Sequence, residues 1–330
     1  MRGIRILWPE AKRTDLEDFD VCSPDENSVM VRTHLTLISP GTERAWLLAL
    51  PGTPNNFPMY PGYSNYGEVL EIGASVKNLK IGDRVVSDGN HASLVTLPAE
   101  RVFRVSPELS AERAVFFNMA CISLQGIRKA NIELGESAII LGLGLVGQLA
   151  MQLAAADGAM PVIGVDKSAE RLDLAARMGA DGVLNPEETD FRQRIKELTK
   201  SDGASVVIES TGSPEAVKTA LQLAGYRGRV VLLGSTRGQT PSIDFYEDVH
   251  KRGVLLIGAH NYVRPQKESS HGYWTMRDDL KVVLKFLESN RLRVTDLVTH
   301  RISYKRAADI YGRLMDYDSG VMGVVLNWLE

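Results

Sequence analysis

One thirty-residue stretch narrows the possible folds more than the rest of the chain: Ser137 to Asp166, SAIILGLGLVGQLAMQLAAADGAMPVIGVD. Ala138 to Leu141 is an apolar run of strand length, and it breaks into Gly142-x-Gly144-x-x-Gly147. Leu145, Val146, Leu149, Ala150, Leu153 and Ala154 then recur at helical spacing, and a second apolar run, Pro161 to Val165, ends at Asp166. The reading is strand, glycine turn, helix, strand, acid.

Each part has a physical job if a dinucleotide binds here. Gly142 permits the tight turn, Gly144 lets the backbone approach a pyrophosphate, and Gly147 lets the helix lie close to the sheet, with the first helical residues, Leu145 and Val146, turning free N–H groups to the anion. Asp166 follows Gly147 by 19 residues, near the spacing of about 20 at which a carboxylate reaches the adenosine ribose hydroxyls. Such an acid accepts hydrogen bonds from a free 2′-hydroxyl and repels a 2′-phosphate, so NAD is favoured over NADP; Lys167 and Arg171 are the cations nearby that pull the other way. No charge falls between Glu136 and Asp157, but three glycines, Gln148 and Gln152 make a poor membrane span.

A chain of 330 residues with 44% apolar and 24% charged content fits a soluble protein of about two domains. A net charge of −3 without a basic stripe leaves no footprint for nucleic acid. The two cysteines, Cys22 and Cys121, suit a reducing compartment and exclude a disulfide framework, so a cytoplasmic location is expected.

Residues 1–117 read as β-rich, with short runs at Val29–Leu37, Tyr66–Ile72, Asp83–Val86 and Ser93–Leu97 and a proline-rich loop at Pro51–Pro61. Across 118–262 helices and strands alternate. Strands are expected near Gly182–Leu184, Ser205–Glu209, Arg229–Gly234 and Val254–Ile257, making six with the first two, and helices at Ala169–Met178, Asp190–Leu198 and Pro214–Leu223. That alternation predicts a doubly wound parallel sheet of α/β class. After His260 it stops. Helices at Asp278–Glu288 and Tyr304–Met315 and a strand at Val321–Leu326 are expected to return to the first domain, giving 1–117 with 263–330 as one discontinuous domain and 118–262 as the inserted dinucleotide-binding domain.

The motifs Ser39-Pro-Gly-Thr-Glu43, Tyr60-Pro-Gly-Tyr-Ser-Asn-Tyr-Gly67, Gly82-Asp-Arg-Val85, the glycine turn after Gly135, Met178-Gly-Ala-Asp181 and Glu209-Ser-Thr-Gly212 resemble, in order and spacing, the medium-chain dehydrogenase/reductases. The resemblance implies a Rossmann sheet inserted into a GroES-like catalytic domain, chemistry in the cleft between them, and a homodimer paired through the edge strand Val254–Ile257. Thr211, Gly234 and His260 would join Asp166 and the glycine turn as cofactor-binding residues. Zinc-dependent members carry a cysteine before Gly-Thr-acid, a His-Glu pair after Pro-Gly and a third ligand before the cofactor domain. Here those places hold Pro40, then Tyr63 and Ser64, then a residue near Phe117 or Asn118, a poor zinc trio. The chain is thus most similar to a zinc-independent branch, the bacteriochlorophyllide-dehydrogenase-like members, and no metal is expected.

Without zinc, a proton donor must stabilise the substrate oxygen during hydride transfer. His91 is the expected acid/base and Tyr63 the oxygen-binding donor, with Glu43 accepting from Tyr63 or pairing with Arg44, and Thr42 at the family's proton-relay position. The expected activity is NAD-dependent interconversion of a secondary alcohol and a ketone. A sugar or polyol is suggested by Asn55, Asn56, Asn65, Asn90 and Asn261 in presumed cleft loops. Quinone or enone reduction, and cofactor sensing without turnover, are the alternatives.

Overall fold

The computed structural model describes residues 1–240 and 242–330. The chain forms two compact units: Met1–Asn118 with Leu284–Asn290 and Val294–Glu330, and Met119–Val283 with Arg291–Arg293.

The second unit is built on six parallel strands. In spatial order they are Gly182–Leu184, Val162–Val165, Ala138–Leu141, Ala204–Glu209, Ala224–Leu232 and Leu255–Gly258. In chain order this is 3-2-1-4-5-6, the doubly wound dinucleotide-binding order. Register aligns Leu141 with Val165 and Glu209, Glu209 with Leu232, and Leu232 with Gly258. The carboxyl ends of five strands therefore lie along one edge. The glycine turn leaves from the strand beside the switch in strand order, where such sheets bind ligands.

The apolar runs form these central strands because both faces are covered. Ile139, Ile163, Val207, Val230 and Leu221 are fully buried in one cluster, and each such side chain stabilises the fold by roughly 1.5–3 kcal/mol. The helix Leu145–Asp157 starts at Gly144 and ends at Gly158, whose φ of +105° closes it in a left-handed cap.

The first unit holds a seven-stranded sheet in which Ser28–Ile38 pairs with Asn65–Ile72, Leu94–Pro98 and the C-terminal strand Gly323–Asn327. That last strand runs antiparallel, Val324 opposite Ile38. The chain end thus completes the sheet that the N-terminal segment began.

Two features depart from expectation. A two-stranded sheet, Arg2–Leu7 with Asp15–Asp20, was not legible, because DLEDFD has more acids than apolar residues. Arg5 supplies what the pattern lacks, pairing with Glu17 at 2.6 Å and lying 4.5 Å over the Phe19 ring. The segment 263–283, expected with the first unit, belongs to the second. Buried Arg264 explains it: the guanidinium donates to Cys121 O at 2.6 Å, to Gln125 Oε1 and to Asp279 Oδ2. An ionic anchor of this kind has no hydrophobic period to announce it.

Candidate active site

The glycine turn in the second unit is constrained as its sequence predicts. Gly142 has φ +92°, and a Cβ there would lie 2.6 Å from Thr211 Cγ2. A Cβ on Gly147 would stand 1.9 Å from the Gly142 carbonyl oxygen. Gly144 is different: a Cβ would meet nothing within 4 Å. Packing does not require that glycine, and the space beside it at the helix N-terminus is open.

Asp166 fastens this turn to the second strand. Its Oδ2 accepts the Leu143 N–H at 2.7 Å and its Oδ1 the Ser168 N–H at 2.9 Å. Each oxygen keeps a lone pair for a hydroxyl. Arg171 Nη1 lies 3.9 Å from Oδ2, whereas Lys167 is drawn to Glu187 at 2.7 Å on the surface.

Three further residues expected at the cofactor make contacts within the fold. Thr211 gives its N–H, at 2.7 Å, and its hydroxyl to Glu209 Oε1. Gly234 donates its N–H to Glu209 O at 2.8 Å, and a Cβ there would lie 2.5 Å from Gly212 N. Gly234 therefore serves close packing of two loops. His260 is exposed and caps the turn Asn261–Val263, its Nδ1 accepting the Tyr262 N–H at 3.2 Å.

The residue missed at this edge is Glu209 itself. It is fully buried, burial pushes its carboxyl pKa up, and its Oε2 has no hydrogen-bond partner among the described residues. An acid closing an apolar strand next to Thr-Gly is the signal that marks it.

In the first unit two of the expected catalytic residues, Glu43 and His91, meet, but in a different arrangement. The helix Pro40–Leu47 begins with proline at its first turn and buries Glu43. Glu43 Oε1 accepts the Ser39 N–H at 2.7 Å, and Oε2 lies 3.1 Å from His91 Nε2 and accepts the Tyr311 hydroxyl. His91 Nδ1 is 2.7 Å from Thr36 Oγ1, which also accepts the Trp328 indole N–H at 2.9 Å. His91 is fully buried with both ring nitrogens occupied. An imidazole so enclosed is not an acid/base at the substrate, because it has no free nitrogen to offer.

Glu43 takes its third donor from Tyr311, and Arg44 instead lies over the Tyr317 ring at 4.9 Å and donates to Met315 O. Tyr63 is part-exposed and Thr42 sits part-exposed on the first turn of the Pro40–Leu47 helix. Burial, and after it the Glu43 carboxylate, push the Tyr311 pKa well above the ordinary phenol value. Tyr311, Thr36 and Trp328 were not legible: they are scattered apolar-patterned positions, joined only by the fold.

The donor set does not fit the catalytic zinc of the family's metal-dependent members. Pro40 offers no ligand, the Ser64 hydroxyl donates to Val115 O at 2.6 Å, the Asn118 amide donates to Tyr63 O, and Glu43 and His91 saturate each other. Among the described residues no three His, Cys, Asp or Glu side chains group as a metal site. Asn65, one of the asparagines expected in a cleft, is buried on a strand and donates to Thr33 Oγ1 at 2.8 Å. No helix among the described residues is long and apolar enough to cross a membrane.

Comparison with known proteins agrees with this architecture. Residues 25–106 match the family model described as alcohol dehydrogenase GroES-like domain, and residues 146–273 match the one described as zinc-binding dehydrogenase. The chain is 29% identical to a D-guloside 3-dehydrogenase of Escherichia coli over 76% of this chain and 72% of the relative. It is 27% identical to an L-threonine 3-dehydrogenase of Burkholderia thailandensis over 82% of each chain. The crystal structure of 2R,3R-butanediol dehydrogenase from Bacillus subtilis superposes with a TM-score of 0.83 at 22% identity, covering 98% of this chain and 99% of that one, and so shares the fold. Sheet order, glycine turn and both family matches lead to one conclusion: the chain belongs to the medium-chain dehydrogenase/reductase superfamily of nicotinamide-dependent oxidoreductases.

Proposed function

We propose that this protein is an NAD-dependent, zinc-independent oxidoreductase that interconverts a secondary alcohol, on a sugar or polyol, and the matching ketone. The observation that carries the zinc-free reading is the mutual saturation of Glu43 and His91, whose lone pairs and protons are used within the fold. Asp166 supports NAD, since its carboxylate stands where a 2′-phosphate would meet negative charge. The relatives named for oxidation at position 3 of a guloside and of threonine support a secondary hydroxyl as the reacting group. The polarity of the substrate rests on that guloside name, because buried Asn65 removes part of the argument from asparagines.

Tyr63 is the hydroxyl proposed to hold the substrate oxygen. When bound, NAD would supply the acceptor for the hydride of the carbinol carbon, and the Tyr63 phenol, as a donor, would stabilise the charge that develops on the substrate oxygen. A homodimer is supported by the exposed Leu255 and Leu256 on the sheet's edge strand, and a reducing compartment by the two free cysteines.

The test is NADH formation, followed by absorbance, with purified protein and a panel of glycosides, polyols and simple secondary alcohols, each run with NAD and with NADP. Turnover of a secondary alcohol with NAD supports the proposal. In a parallel assay of NADPH consumption with quinones and enones, turnover confined to those substrates overturns it.

A further inference from the structure

We propose that Glu209 is a positioning residue of the cofactor site, setting the glycine turn at one remove through the loop Ser210–Gly212; this rests on the reading of that turn as the dinucleotide site. Glu209 closes the fourth strand of the parallel sheet, opposite Leu141 of the first and Leu232 of the fifth. The first and fourth strands flank the switch in strand order, where doubly wound sheets take their ligands. The strand ends at Glu209, so the N–H groups of Thr211 and Gly212 need an acceptor outside the ladder. Glu209 Oε1 supplies it, taking the Thr211 N–H at 2.7 Å, the Gly212 N–H at 3.2 Å and the Thr211 hydroxyl. The loop is thereby curled back over its own strand, with Gly212 at φ +71°.

So curled, the loop turns two side chains onto the glycine turn. The Ser210 hydroxyl donates to Gly142 O at 2.6 Å, and the Ser210 N–H to Leu141 O at 2.9 Å. Thr211 Cγ2 stands 2.6 Å from where a Gly142 Cβ would be. From the helix side Gly147 comes so near that its Cβ would lie 1.9 Å from Gly142 O and 2.8 Å from Ser210 Oγ. The Gly142 carbonyl is therefore fixed between the loop and the first turn of the helix, and with it the path of the chain through Gly144. The loop has no room to drift the other way, since a Cβ on Gly234 would lie 2.5 Å from Gly212 N and 2.8 Å from Ser210 C. A change at Glu209 reaches Gly142 through these contacts.

Stability alone does not account for an acid at this place. Glu209 is fully buried with Oε2 unpartnered among the described residues, and a buried polar atom left unmatched costs the fold free energy. What the side chain gives in return is the shape of the loop. Oε1 accepts hydrogen bonds whether the carboxyl is neutral or ionised, so holding the loop takes the acceptor and not the charge. Two substitutions separate these. Glu209→Gln keeps the acceptor, whereas Glu209→Leu keeps the bulk, suits the apolar end of the strand and leaves the Thr211 and Gly212 N–H groups unheld.

The test is NADH titration of the full chain as wild type, Glu209→Leu, Glu209→Gln and Ser210→Ala, with a melting curve of each. Expected is a Kd raised about tenfold or more in Glu209→Leu and about fivefold in Ser210→Ala, and a Kd within about twofold of wild type in Glu209→Gln. Combined, Glu209→Leu and Ser210→Ala should weaken binding by less than the product of the single effects, since both act on Gly142. A Glu209→Leu Kd within about threefold of wild type, or a Glu209→Gln Kd as poor as that of Glu209→Leu, overturns the positioning role while leaving the dinucleotide site intact. Wild type that binds neither NADH nor NADPH overturns both. Should Glu209→Leu not fold, Ser210→Ala decides: the raised Kd supports the path from Glu209 to Gly142, and an unchanged Kd overturns it.

Discussion

His91 Nε2 lies 3.1 Å from Glu43 Oε2, and the two side chains are 0% and 1% exposed. An interior carboxylate depends on each of its donors. His91→Ala should therefore destabilise the protein by roughly 2–4 kcal/mol, the cost of stripping a donor from a buried charge. Chemical denaturation of the variant beside wild type measures it. A loss below about 1 kcal/mol would show that the pair contributes little to the fold.

The glycine turn makes a paired prediction. Gly144→Ala should fold with wild-type stability, because its Cβ meets nothing within 4 Å, yet bind NADH at least about tenfold more weakly once a methyl group occupies the place of the pyrophosphate. Gly147→Ala should fail in both respects, its Cβ falling 1.9 Å from Gly142 O. Melting curves and NADH titration of the two variants separate the cases, and equal behaviour would contradict the assignment.

Asp166→Ser should shift cofactor choice. Removing the carboxylate leaves Arg171 beside the vacated ribose position, 3.9 Å from where Oδ2 stood. The ratio of kcat/KM for NAD to that for NADP should fall by about tenfold or more, equivalent to about 1.4 kcal/mol. An unchanged ratio would mean that Asp166 only ties the turn through Leu143 and Ser168.

Glu209 should give stability a pH dependence. Burial raises its folded pKa above the unfolded value, so the folded state holds the extra proton. Stability from this group is full below the unfolded pKa and is lost as pH rises through the folded one, by up to about 1.4 kcal/mol per pH unit. Glu209→Gln, which keeps an acceptor for Thr211 and Gly212, removes that loss. The variant should therefore gain on wild type in melting temperature as pH rises from acid toward neutrality. A difference independent of pH would refute the assignment.

The second unit was largely legible because its pattern is local. Ala138–Leu141, the glycine turn and Asp166 are contiguous, and covering both faces of a parallel strand forces an apolar run that any reader can see. The helix Pro214–Leu223 was located to the residue. What failed was long-range and polar. Arg264 anchors 263–283 through Asp279 and Cys121 O, and charged groups carry no period. The first unit's site shows the same limit: Glu43 and His91 were singled out as residues, but their partners Tyr311 and Trp328 lie 268 and 292 positions away from Glu43 and Thr36. Only folding brings them together, and so His91 was expected at the substrate when it is buried between Glu43 and Thr36.

The central claim is that chemistry proceeds without zinc, with the Tyr63 hydroxyl in place of the metal. The most direct measurement is kcat for the best secondary alcohol with NAD before and after exhaustive chelation, with metal content determined on the same samples. The account predicts substoichiometric zinc and an unchanged kcat. Activity that is lost on chelation and restored by added zinc in proportion to the metal bound would contradict it.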